Sequence, residues 1–143
     1  TIDQAKATDV INPLATTLEA ALEQLGETAN IIGRQAVSPK YKIAFASAHP
    51  FMMAMGDVIM GWMLLWRAAV SAPKLEKIVD GMDNQKRPAT LERDKNAAFY
   101  DGQIQSARYF INSVLPITLG RLAGVRAGDE AILEITERGF GGI

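Results

Sequence analysis

The sixteen residues from Phe51 to Trp66, FMMAMGDVIMGWMLLW, carry a single charge, Asp57. They are apolar on nearly every face a helix could present. Such a segment predicts a helix enclosed by partners on more than one side, not one laid along the outside of a bundle. Two stripes separate within it at helical spacing. Met52, Met55, Ile59, Trp62, Trp66 and Ala69 share one face, and Phe51, Ala54, Val58, Gly61, Leu65, Ala68 and Ala72 share another. A membrane span needs about 20 apolar residues and penalises a central aspartate by about 2.5–3.5 kcal/mol, so the run reads as a core helix and not as a span.

The rest of the chain is organised around that helix. Ile11, Leu14, Leu18, Leu22, Leu25, Ala29, Ile32 and Ala36 alternate by threes and fours, the seam of an antiparallel bundle helix. Asn12-Pro13 supplies a cap and a first helical residue for it. Ser38-Pro39 is a second start signal, for a helix running to about Ala72, with Pro50 removing one backbone bond and implying a kink near His49. Residues from Pro73 to Lys95 turn polar; Lys74 to Val79 can continue as an exposed turn or two of helix, and Gly81 to Thr90 reads as a loop with Gly81, Asn84 and Pro88 as breakers. A third long helix covers about Lys95 to Ala123, with Phe99, Ala107, Phe110, Val114, Ile117 and Leu122 as its buried stripe and a kink at Pro116. Gly124 or Gly128 closes it, and Asp129 caps a short last helix whose Ala131, Ile132 and Ile135 face inward. The prediction is all-α: an up-down bundle of three long helices plus a short C-terminal helix, one domain over residues 1–143.

Little in the chain can do chemistry. It has no cysteine, one histidine, no paired-carboxylate signature and no phosphate loop. A net charge of -1 offers no basic surface for nucleic acid or an anionic membrane. The absence of cysteine fits a cytoplasmic protein, and the first residues carry no signal-peptide pattern. The chain starts at Thr1 rather than methionine, which suggests a piece of a longer polypeptide. No catalytic, cofactor-binding or metal-binding residue is assigned.

Seven residues stand out instead as structural or interface candidates: His49, Asp57, Trp62, Trp66, Arg67, Arg108 and Phe110. His49 beside Pro50 suits a hydrogen bond across a kink better than an active role. Asp57 in an apolar helix needs a partner or a solvent-facing position, and Arg108 is the cross-helix candidate. Five of the six methionines lie between Met52 and Met63. With Trp62 and Trp66 they fill either a core or an adaptable docking face. An apolar pocket around Trp62, Trp66 and Phe110 is a further possibility.

Two ordered segments carry a family resemblance. One is Ala46-Ser47-Ala48-His49-Pro50-Phe51, continuing through Gly56, Gly61-Trp62 and Arg67-Ala68 to Ala72. The other is Phe99-Tyr100-Asp101-Gly102-Gln103, then Ala107-Arg108-Tyr109-Phe110 and Leu115-Pro116. Together, over about Leu14 to Val125, they resemble the helical domain appended after the dehydrogenase fold of the longer bacterial-type acyl-CoA dehydrogenases. Gln103 departs from the lysine carried there by many relatives. The resemblance implies a parent enzyme that binds FAD and desaturates an acyl-CoA thioester between its α and β carbons. It implies for this chain a non-catalytic role, docking on its own dehydrogenase domains or assembling a dimer. A stand-alone interaction module using the Met/Trp face is the alternative.

Overall fold

The computed structural model describes residues 1–6, 10–80, 82 and 86–141. Among them there is no strand. In chain order the elements are α1 (Ile2–Lys6), α2 (Asn12–Ala36), α3 (Tyr41–Val79), α4 (Arg87–Arg93), α5 (Lys95–Tyr109), a π-helical turn (Phe110–Val114), α6 (Leu115–Ala127), α7 (Ala131–Glu134) and a 3-10 turn (Glu137–Phe140). α2, α3 and the continuous rod α5–α6 are the three long arms of the expected up-down bundle, and α7 is its short C-terminal helix. Gly81 and Asn84 of the expected loop, and Gly142 and Ile143 of the tail, lie outside the described residues.

The start signals work, though not as simple caps. Pro13 sits in the first turn of α2, but the Asn12 side chain points back and donates to the Lys6 carbonyl at 3.1 Å, tying α1 to α2. The Ser38 hydroxyl donates to the Gln35 carbonyl at 2.8 Å and accepts from the Lys40 N–H at 3.0 Å, organising the turn before α3. Lys40 then reaches the Glu130 carboxylate, linking that turn to the chain beyond α6. This hydrogen bond, and next the attraction of the same carboxylate, hold the Lys40 pKa above its ordinary value.

α3 passes unbroken through Pro50 and Pro73 and ends at Val79, two turns beyond the expected Ala72. An internal proline costs roughly 3 kcal/mol. Burial of Leu75 and Val79 on the far side of Pro73 returns about 1.5–3 kcal/mol each, so packing carries the helix onward. Pro88 opens α4, a short helix inside the stretch expected to be loop.

At Pro116 the chain forms a π turn where a kink is expected. The Leu115 N–H donates to the Phe110 carbonyl, five residues back, and Pro116 follows without an N–H of its own. The wider turn accommodates the proline ring and lets the rod continue. Gly128 closes α6 in the left-handed conformation at φ 60°.

One hydrophobic cluster unites the arms. Ile11, Leu18, Val58, Leu65, Ile111 and Leu115 are essentially sealed. The expected stripe of α2 holds as far as Leu18 and then moves to Ala21 and Thr28, leaving Leu22 exposed. The buried Thr28 hydroxyl donates to the Gln24 carbonyl at 2.7 Å. On α5–α6 the buried line is Ala97, Ile104, Ala107, Ile111, Leu115, Thr118, Leu122 and Val125. Phe99 and Ile117, expected inside, are exposed, and so are Ala131, Ile132 and Ile135 of the last segment.

Candidate functional site

The two stripes of α3 have opposite fates. Ala54, Val58, Gly61, Leu65, Ala68 and Ala72 are buried against α2, α5 and α6. Met52, Met55, Ile59, Trp62 and Trp66 stand in the open, joined by Met53, Met60, Met63 and Val70. Trp62 and Trp66 are 45% and 47% exposed and Ile59 49%, large values for side chains of this kind. The expectation that this chain itself encloses the helix is therefore wrong. The second face has no cover because both neighbouring arms pack on the same side of α3. From Phe45 to Val70 the open arc carries only His49 and Arg67 as polar interruptions. Contiguous apolar surface on this scale is unusual on a protein that stands alone.

Asp57 lies at the edge between the two faces and is turned inward. Its Oδ2 accepts from the Thr118 hydroxyl at 2.7 Å and from Arg121 Nη1 at 2.8 Å. Arg108 is not its partner. Arg108 lies ten residues before Thr118, roughly 15 Å along the rod at helical rise, and it is exposed. Thr118 and Arg121 were findable in principle, since they are one turn apart on a helix antiparallel to α3. The register needed to find them is set by Gly61, where an added Cβ would lie 3.2 Å from Leu18 and 3.9 Å from Leu115. His49 is exposed, and among the described residues its imidazole spans no kink with a hydrogen bond.

Trp66, Arg67, Val70, Ser71 and Lys74 of α3 face Phe99, Tyr100 and Gln103 of α5 across a cleft of 230 Å³. The structure thus gathers Trp66 and Arg67 in one site but leaves Trp62 and Phe110 outside it. Phe110 instead approaches Gly61, 3.8 Å from a Cβ built there. The sequence reading missed Val70, Lys74 and Tyr100. Their signal was present in the i, i+4 spacing of Trp66, Val70 and Lys74, which lines one side of a groove.

The described elements are helical throughout, so among them there is no strand-to-helix glycine turn of the dinucleotide-binding type. Among the described residues no three His, Asp or Glu side chains converge as metal ligands. By length and composition alone, α3 is the one described helix able to cross a membrane, yet it packs along one side, chiefly against α2, α5 and α6.

What the arrangement offers is a bare apolar helix face ending in an amphipathic cleft. Over 107 residues the chain is 28% identical to the broad-specificity linear acyl-CoA dehydrogenase FadE5 of Mycobacterium tuberculosis, a match covering 75% of this chain and 15% of that enzyme. The chain thus spans a small fraction of its curated relative. No solved structure matches it. A family model described as acetyl-CoA dehydrogenase C-terminal like matches residues 1–136. On that match, over nearly its whole length, the chain belongs to the acetyl-CoA dehydrogenase C-terminal-like family.

Proposed function

We propose that this bundle is a non-catalytic C-terminal domain of an FAD-dependent acyl-CoA dehydrogenase, serving to dock on the dehydrogenase domains of its own polypeptide or of a second subunit. The observation that carries the reading is the open face of α3. Its two tryptophans and the surrounding methionine and isoleucine side chains, each roughly half exposed, present on the order of 800 Å², the area one partner contributes to a standard interface. The chemistry of the parent, α,β-dehydrogenation of an acyl-CoA thioester, then belongs to segments outside this chain, and so does the flavin.

Two measurements test the proposal. An antibody raised against this chain should detect, in a lysate of the source organism, a polypeptide several times larger than 15.5 kDa. The purified 143-residue chain should carry no flavin absorbance and oxidise no acyl-CoA. A native band at the chain's own size would favour the free-standing interaction module. Stoichiometric flavin on the purified chain would overturn the non-catalytic assignment.

A further inference from the structure

The end of the bare face near Trp66 differs from the rest in shape and in charge. Between Met52 and Met63 the surface is the convex flank of one helix and carries no cation. At Trp66 it opens into the 230 Å³ cleft between α3 and α5. That volume is below the roughly 300–1,000 Å³ of a small-molecule site and suits a single large side chain. Its walls are Trp66, Val70, Phe99 and Tyr100, and two cations, Arg67 and Lys74, stand among them with no carboxylate. Among the described residues the Lys74 ammonium has an aromatic face and no acid beside it, lying 5.5 Å from the centroid of the Tyr100 ring. Among the described residues Arg67 forms no salt bridge. An apolar hole flanked by two cations lacking acidic partners is complementary to an apolar side chain next to a carboxylate.

We infer that this cleft is the anchor hole of the docking surface, receiving one large apolar side chain and an adjacent Asp or Glu from the protein segment that covers α3. The inference rests on the docking reading above and names the chemistry of the partner. Trp66 belongs to the face and to the cleft, so a body seated on the one reaches the other. Side chains seated in a pocket that the partner seals from water dominate an interface, and the segment that covers α3 closes this cleft. An anionic membrane is the less suitable occupant. It would favour cations spread along the rim of the apolar face, whereas here two are gathered at one end.

The test uses the full-length polypeptide that carries this chain, with a photo-crosslinking phenylalanine analogue at Val70 in the cleft or at Ile59 in mid-face. Crosslinked peptides are identified by mass spectrometry. The expected product at Val70 is a protein segment with Leu, Met, Phe, Tyr or Trp within two residues of Asp or Glu. Combining Arg67→Glu with Lys74→Glu should lower the Val70 yield about tenfold and spare the Ile59 product. Both changed residues are exposed, and retained helical circular dichroism establishes that the variant is folded. A Val70 product with no nearby acid, a yield indifferent to charge reversal, or lipid adducts would each overturn the inference. A silent Val70 beside a productive Ile59 overturns it while leaving docking intact, and silence at both sites removes the docking reading itself.

Discussion

Gly61 marks where α3 comes nearest to both other arms. A Cβ there would meet Leu18 at 3.2 Å, Phe110 at 3.8 Å and Leu115 at 3.9 Å, so hydrogen is the substituent that the packing admits without adjustment. Gly61→Val adds three carbons to this junction and should destabilise the bundle by about 1–3 kcal/mol, read as a lower urea midpoint at unchanged slope. One turn away, Asp57 holds a charged hydrogen bond from Arg121 and a second from the buried Thr118. The Asp57 and Arg121 side chains are 26% and 32% exposed, so water weakens the pair but does not dissolve it. A double-mutant cycle of Asp57→Ala with Arg121→Ala should give a coupling of about 1 kcal/mol. The same cycle with Arg108→Ala in place of Arg121→Ala should be additive. Additivity at Arg121 would show the pair to be energetically silent.

At the scale of elements, capping is concentrated at one junction. Asp94 accepts from the N–H groups of Asn96 and Ala97 at 2.8 and 2.9 Å, and so fixes where α4 ends and α5 begins. Asp94→Ala should cost about 1 kcal/mol in thermal or urea unfolding, and Asp94→Asn much less. This cap also shows what could be read from the sequence. The number and order of the long arms followed from apolar spacing and from two proline start signals, at Pro13 and Pro39, because those are local properties. Which residue of a stripe faces inward did not follow, because it depends on neighbours. Leu22 lost its place to the small Ala21 where α2 meets its partners, and Phe99 and Ile117 stayed outside while Ile104 and Thr118 went in. Size was a poor guide to burial in arms that lie this close together. The buried line keeps a seven-residue repeat through the π turn, from Ala97 through Ile104, Ile111 and Thr118 to Val125, so the rod's own period turns Thr118 inward. That it meets Asp57 depends on the register between α6 and α3, which neither helix fixes alone. Likewise the seven candidate site residues were visible as residue types, but their grouping was not. Trp66 and Arg67 share a cleft, Asp57 belongs to the core edge, and His49 and Arg108 stand apart.

For the whole molecule, the decisive imbalance is that α3 leaves its largest apolar side chains, the tryptophans and methionines, in solvent. Burial of apolar surface yields roughly 25 cal/mol per Å², so a face of this size left bare gives the isolated chain a strong drive to cover it. The cover lies elsewhere under the docking proposal, and the isolated chain should therefore self-associate, with an average mass that rises with concentration in sedimentation equilibrium. Ile59→Glu combined with Trp62→Glu places two charges at the centre of the open face, outside the sealed core, and should return the chain to a monomer. Helical circular dichroism should be unchanged, and the urea midpoint should equal that of the wild-type chain at dilutions where it too is monomeric, because neither side chain belongs to the sealed core. In the longer polypeptide that the docking proposal implies, the same pair of substitutions should do the reverse of a benign surface change, loosening the bundle from the rest of the protein and exposing it to limited proteolysis. An isolated wild-type chain that stays monomeric at every concentration, with a full-length double variant as protease-resistant as its parent, would mean that the face needs no cover, and the docking role would fall with it.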